Sequence, residues 1–152
     1  MKRFLGLVMV LGLVLVLGRV AMAGDTATVT VSANVVGTCK FLTGGAMAFG
    51  DLDPSSGADK NATVTQPTFW CTKNATYTIN DDLGVNESGT QRRVVNGSSE
   101  YINYSMSYTG SGTGGGRTDT KTLDIAGTIT FAAYQNASAG GYNDTVTLTI
   151  AP

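Results

Sequence analysis

The sequence predicts an all-β protein, and within that class a sandwich of immunoglobulin type. Apolar and polar residues alternate with a period of two in several short segments, which is the pattern of strands with one buried face. Glycine, asparagine and aspartate separate these segments, as turns between antiparallel strands require. After the N-terminal leader, no stretch has convincing helical periodicity. Many short strands joined by such turns are typical of sandwiches.

The N-terminus is predicted to be a secretory signal peptide covering residues 1–23. It has a positively charged start, an apolar run over residues 4–18, and two alanines, Ala21 and Ala23, with the spacing of a signal peptidase site. A membrane-spanning helix would need about 20 apolar residues, and Arg19 ends this run sooner. We therefore expect an exported protein whose mature chain begins immediately after residue 23.

Composition argues against several functional classes. Removing the three basic residues of the leader from the ten in the chain leaves seven against eleven acidic residues, a net charge of −4. These basic residues are scattered along the sequence, so we expect no nucleic-acid partner. The sequence contains no histidine, which rules out a Ser-His-Asp triad and an imidazole metal site. We expect no catalytic residue, metal, cofactor or small-molecule substrate, and hence no enzyme.

Two pairs of carboxylates are candidates for a calcium site or an acid–base pair. Asp51 with Asp53, and Asp81 with Asp82, lie in regions predicted to be loops. Paired carboxylates can bind calcium or act as acid and base. The capping of turns is the commoner role of aspartate in such loops, and we favour it here.

The chain contains two cysteines, Cys39 and Cys71, and both belong to the exported part. An even number of cysteines in an oxidising compartment predicts one structural disulfide. On the chain-entropy model it would stabilise the fold by roughly 3–4 kcal/mol. The alternatives are a redox pair and a metal site, but the CxxC spacing is absent and no histidine is available.

The predicted extended segments follow one another along the mature chain. They are residues 26–36, 37–42, 46–49, 60–71, 76–80, 93–95, 101–108, 123–131 and 142–150. Pro67 predicts a bulge or an edge position in the fourth segment, because proline cannot donate a ladder hydrogen bond. Gly127 predicts a bulge or a close approach in the eighth. Residues 50–57 are predicted to be a turn-rich loop, and the glycine-rich residues 109–120 a flexible one.

Residues 26–36 form the most regular of these segments. Small or branched apolar residues occupy every second position, and hydroxyl or amide side chains lie between them. The apolar positions are Ala27, Val29, Val31, Ala33 and Val35. The segment follows directly on the predicted cleavage site and contains no turn that would return it as a hairpin. Two interpretations stay open: it is the first strand of an ordinary sandwich, or it is a strand that completes another molecule.

Several motifs resemble those of one family in order and spacing. They are the strand start Gly-Thr-Cys at residues 37–39, Met-Ala-Phe-Gly-Asp at 47–51, an arginine at 92 or 93 before the tyrosine-rich residues 101–108, and the ending at 139–150 with its Gly-x-Tyr-x-Asp-Thr-Val pattern. In these features the chain resembles the spore coat protein U domain, the fold of major subunits of archaic chaperone–usher pili. Cys71 follows a strand, as the second family cysteine does.

The resemblance implies an incomplete immunoglobulin-like sandwich that lacks its final strand. Residues 24–37 would be a donor-strand extension, and residues 38–152 the pilin domain. The five alternate apolar residues of segment 26–36 would insert into the groove of a neighbouring copy. The expected acceptor groove comprises Phe41, Phe49, Val146, Leu148 and Ile150.

The same resemblance implies the partners and the location. A periplasmic chaperone would fill the groove temporarily, and an outer-membrane usher would exchange it for the next subunit. Head-to-tail pairing of this kind does not close, so it builds a fibre. The expected product is a cell-surface pilus that mediates adhesion or biofilm formation. The alternative is a self-contained secreted coat or adhesin domain whose first strand pairs within its own sheet.

Overall fold

A computed structural model describes residues 24–152, and the predicted signal peptide lies outside this range. Two units are distinguished: residues 24–33 belong to an N-terminal unit, and residues 34–152 form the second. Residues 24–38 are in no helix or strand. The strand predicted over residues 26–36 is therefore not formed within the described chain, and a first strand paired in an ordinary sandwich is not observed.

The second unit contains twelve short strands and one turn of helix. The first six strands are β1 (Cys39–Thr43), β2 (Ala46–Ala48), β3 (Lys60–Asn61), β4 (Thr63–Thr65), β5 (Thr68–Cys71) and β6 (Thr76–Asp81). The others are β7 (Arg92–Val95), β8 (Tyr101–Ser107), β9 (Ser111–Thr113), β10 (Lys121–Thr122), β11 (Ala126–Ile129) and β12 (Leu148–Ala151), with helix α1 (Phe131–Tyr134) before the last. Within the described residues, no helix has the length and apolar character needed to cross a membrane.

The strands form four antiparallel groups. Their orders are β1–β5–β10, β3–β11–β8–β7, β12–β6–β9 and β2–β4. Strands β5, β6, β8 and β11 are central and carry most of the fully buried side chains. Apart from the single turn of α1 the unit is all strand and loop, which confirms the predicted all-β, immunoglobulin-like fold.

Two apolar clusters make up the core. The first gathers around Phe69 and Ile79, where β1, β5, β6 and β12 face one another. The second gathers around Ile102 and Ile129, from β8 and β11, with β2, β7 and α1 packed against them. Each fully buried side chain of this size contributes about 1.5–3 kcal/mol, so these central strands supply much of the stability.

The predicted disulfide between Cys39 and Cys71 is present. The two cysteines are directly opposite each other in the β1–β5 ladder, at the first residue of β1 and the last of β5. Cys71 is fully buried in the first cluster. The bond therefore joins an edge strand covalently to the central strand of its sheet.

The glycine-rich segment 109–120 is more ordered than predicted. Part of it forms β9, which pairs with β6. A Cβ at Gly114 would collide with the carbonyl oxygen of Thr72 and the Cβ of Cys71. The expectation of a flexible loop was wrong for this part, because the glycine here permits a close backbone approach.

The C-terminal third also differs from prediction. Segment 123–131 divides into β11 and α1, and Phe131 begins the helix instead of ending a strand. Asp59 Oδ1 accepts a hydrogen bond of 2.7 Å from the Phe131 N–H, which supports that first turn. The last strand is shorter than predicted and begins only at Leu148, although burial alternates along residues 142–150 as expected.

The structure explains why Pro67 and Gly127 occur within predicted strands. Pro67 is fully buried in the break between β4 and β5, and the register of β1 with β5 shifts beside it. The close approach predicted at Gly127 is confirmed, because a Cβ there would overlap the sulfur of Met47. Met47 therefore lies directly over β11.

Candidate functional site: an open apolar groove

An open groove of about 1020 Å³ lies on the second unit. Residues 45–52 form one side, and residues 137–146 with Leu148 form the other. We call the second side the C-terminal wall. The floor is apolar and comes from strands that are distant in sequence. Its main side chains are Val64, Val94, Ile102, Tyr104, Met106 and Ile129.

Both sides of the groove present unpaired strand edges. Within the part of the chain that the structure describes, β2 pairs only with β4, and β12 pairs only with β6. Along the C-terminal wall, Asn143, Thr145 and Thr147 use their backbone groups toward Val95, Val85 and Asp82.

Successive residues of an extended chain direct their N–H and C=O groups to opposite sides. The backbone groups of Asp144 and Val146 are accordingly without a backbone partner among residues 24–152. An apolar floor between two unpaired edges is suited to accept an additional strand.

The structure brings together three of the five residues predicted for the groove. Phe49, Val146 and Leu148 line it. Phe41 and Ile150 instead pack against the first core cluster, on Phe69 and its neighbours. Phe41 meets Phe69 edge to face with ring centres 6.1 Å apart, so its ring is committed to the core.

Sequence reasoning missed most of the floor. Ile102, Tyr104 and Met106 alternate with polar residues in the predicted extended segment 101–108 and so share one face. Nothing local in the sequence shows that this face borders an open space. Val94 and Ile129 reach the same space from β7 and β11. Only the pairing of distant strands brings these side chains together.

The predicted donor positions are all exposed. Val29 and Val31 have 85% and 88% of their surface accessible, and Val35 has 82%. Ala27 and Ala33 are exposed as well. Such a regular set of exposed branched side chains is unusual on a folded surface, where large exposed apolar groups generally mark an interaction site.

Asp144 connects the C-terminal wall to the floor. One carboxylate oxygen, Oδ2, accepts a hydrogen bond of 2.7 Å from the hydroxyl of Tyr104 on β8. The other, Oδ1, accepts bonds of 3.2 and 3.0 Å from the backbone and side-chain nitrogens of Asn86. Burial and the bond to Asp144 both raise the pKa of Tyr104, so its hydroxyl stays protonated.

A second carboxylate, Asp81, is the last residue of β6, opposite the first residue of β12, and so lies in a strand where a loop was expected. Asp81 forms an ion pair of 2.7 Å with Arg92, and the two side chains are only 7% and 10% exposed. The hydroxyl of Tyr108 donates to Asp81 at 2.6 Å, and the Leu83 N–H at 2.8 Å. Burial alone would raise the pKa of Asp81, but these bonds and Arg92 together hold it below its ordinary value.

We expect alkaline pH to weaken the fold through Tyr108. Burial and the bond to Asp81 raise the pKa of Tyr108 to about 12, above the ordinary value near 10. A raised folded pKa contributes stability that is complete below pH of about 10 and is lost as the pH rises through about 12. The urea midpoint of the mature protein, complemented by a peptide with the sequence of residues 26–36 and measured at intervals between these values, should fall. In Tyr108→Phe this alkaline fall should be smaller; an equal fall in both proteins would contradict the assignment.

Two of the four aspartates considered for turn capping, Asp53 and Asp82, stabilise loops. Asp53 accepts hydrogen bonds from the backbone and hydroxyl of Ser55, and Asp82 accepts from Gly84 and Thr147. These bonds lower the pKa of both carboxyls. Within residues 24–152, no group of three acidic or cysteine side chains is placed to hold a metal ion.

Comparison with known proteins places these features in a family. The family model of the Spore Coat Protein U domain matches residues 25–149. No curated protein matches the sequence. A solved structure with 18% identity and a TM-score of 0.44 is the CsuC–CsuE chaperone–tip adhesion subunit pre-assembly complex, from archaic chaperone-usher Csu pili of Acinetobacter baumannii. The likeness covers 76% of this chain and 40% of that one. Because the family model spans most of the sequence, the chain belongs to the Spore Coat Protein U domain family.

Proposed function

We propose that the mature chain is a structural subunit of a cell-surface pilus that polymerises by donor-strand exchange. The observation that carries this proposal is the open apolar groove between two unpaired strand edges. The exposed, alternating residues of segment 26–36 are the matching strand. Residues 24–37 then act as the donor extension and residues 38–152 as the acceptor domain.

The energetics of this pairing come from two sources. Burial of Val29, Val31 and Val35 contributes about 4–6 kcal/mol in total. Ordering the donor backbone costs about 1–2 kcal/mol for each residue. New ladder hydrogen bonds along both groove edges, together with closure of the second core cluster, must supply the remainder.

Family membership supports a set of partners for this function. They are neighbouring copies of the subunit, a periplasmic chaperone that covers the groove before assembly, and an outer-membrane usher. The chain would pass through the periplasm to the cell surface, where the pilus mediates adhesion or biofilm formation. The protein acts by binding and assembly and is not an enzyme.

The competing function is a self-contained secreted coat or adhesin domain. Such a domain has its own first strand in its own sheet. The exposed valines of segment 26–36 and the open groove favour the pilus subunit.

The proposal is tested with the mature chain expressed without partners. We expect size-exclusion chromatography to show aggregates or polymers, because the groove exposes an apolar surface beside open strand edges. An added peptide with the sequence of residues 26–36 should yield a stable monomeric complex. A peptide of the same composition with its alternation disrupted is the control. A monomer that stays soluble for days without peptide would support the self-contained domain instead.

A further inference from the structure

We infer that Asp144 is a positioning residue for the C-terminal wall and that its bonds to Tyr104 and Asn86 form a clasp that fixes the pairing edge of the groove. This inference rests on the proposed function, since it assigns a role in capture of the donor strand. It concerns how the empty groove keeps one edge ready for that strand.

The wall needs such support because its own ladder is sparse. Strand β12 begins only at Leu148, and before it the wall has isolated backbone bonds at Asn143, Thr145 and Thr147. Asp144 lies between Asn143 and Thr145. The backbone N–H and C=O groups of Asp144 and Val146 have no backbone partner among the described residues. The carboxylate supplies the missing attachment through a charged hydrogen bond, which is about twice as strong as a neutral one.

The surroundings of Asp144 are shaped to receive the carboxylate. A Cβ at Gly84 would overlap Asp144 Oδ2, and Gly84 has a φ of +98°, a conformation that favours glycine. The backbone N–H and the side-chain amide of Asn86 converge on the other oxygen. The loop after β6 therefore approaches the wall closely and holds the carboxylate toward Tyr104.

The second carboxylate, Asp81, ends the strand that pairs with β12, next to the end of the wall. Asp81 is opposite Leu148 in the β6–β12 ladder and accepts the hydroxyl of Tyr108. Tyr104 and Tyr108 are on one face in the tyrosine-rich segment that begins with β8, whose inner side chains line the groove floor. Arg92 is opposite Tyr104 in the β7–β8 ladder and pairs with Asp81. Residues from three separate sequence motifs thus meet near this wall. Asp144 bonds the wall itself to Tyr104, and Asp81 bonds the adjoining strand β6 to Tyr108.

The clasp predicts a loss of strand capture that exceeds the loss of fold stability. Tyr104→Phe removes the hydroxyl and keeps the ring that forms the floor, and Asp144→Asn keeps the shape of the side chain. A hydrogen bond to a charged group is stronger than a neutral one, so we expect the affinity for the 26–36 peptide to fall about tenfold or more in either variant. The double variant should lose little more than each single one, because both changes eliminate the same charge-assisted hydrogen bond.

The experiment measures, for the mature chain and its variants, the affinity for the 26–36 peptide and the urea midpoint of the complex at saturating peptide. Tyr101→Phe and Asp124→Asn are matched controls, since the first loses a hydroxyl on the exposed face of β8 and the second a charge at an exposed position. Weaker, non-additive capture by the clasp variants, with controls like the wild type, supports the inference. Clasp variants that capture peptide as well as the wild type, or additive losses, overturn it while the proposed function stands.

Two further results are also decisive. If a variant folds only with excess peptide, the rate at which it releases the bound peptide is measured instead. Faster release than from the wild type supports the clasp, and equal release overturns it. A wild-type chain that captures no peptide at all overturns the proposed function and this inference together.

Discussion

A Val31→Arg subunit is expected to fold, to form its disulfide and to fail completely in fibre assembly. Val31 is the central apolar position of segment 26–36 and is 88% exposed, so the arginine costs its own chain little. In the groove of a neighbouring copy the same side chain would bring an unpaired charge into an apolar floor, which costs several kcal/mol. The measurements are the urea midpoint of the peptide-complemented or chaperone-bound subunit and fibre formation by electron microscopy.

Thr30→Arg is the matched control for this variant. It introduces the same charge one residue earlier, on the opposite face of the donor strand, where it stays in solvent. We expect fibres from Thr30→Arg and none from Val31→Arg. Loss of the folded subunit itself in Val31→Arg would show that residue 31 belongs to the core of its own domain, and the self-contained sandwich would be restored.

Removal of the disulfide should produce the largest change in stability. The double variant Cys39→Ala/Cys71→Ala avoids leaving an unpaired thiol in the first core cluster. We expect the free energy of unfolding to fall by roughly 3–4 kcal/mol, from the greater entropy of the unfolded chain. Equilibrium urea unfolding of the peptide-complemented protein measures the difference, and chemically reduced wild type provides the reference.

The same variant separates folding from recognition. The cysteines belong to the first core cluster, whereas the floor of the groove belongs to the second. Peptide affinity for each folded molecule should therefore stay within about twofold of the wild type, while the yield of folded subunit drops. A stability loss below about 1 kcal/mol would contradict the role assigned to the bond.

The sequence was most informative where structure depends on local alternation. The inner face of β8, with Ile102 and Tyr104, could be read directly from the period of two, and both residues are buried. The cysteine pair also followed from composition and compartment alone. Alternation along a strand predicts its buried face correctly because each strand must present one apolar face to a core.

Features that depend on distant contacts could not be predicted in the same way. A single helical turn at α1 is too short to show a period, and it depends on the distant Asp59. Strand β9 forms because the glycines before and after it, Gly110 and Gly114, allow close packing on Ile79 and Cys71. From the sequence alone, the many glycines of this segment predicted only a flexible loop. The predicted groove residues Phe41 and Ile150 shared the alternation of the others, and only the pairing of β1 and β12 assigned them to the first core cluster.

The position of the disulfide has a mechanical consequence for a fibre built in this way. Tension along the fibre enters each domain through the donor extension, which joins β1 immediately before Cys39. Among the described strands, β1 pairs only with β5. A pull on its first residue would therefore peel it away one hydrogen bond at a time. The covalent bond to Cys71 at this first ladder position prevents peeling from starting and transfers the force to β5. A stretched pilus should therefore yield where donor strands leave their grooves before the domains themselves unravel.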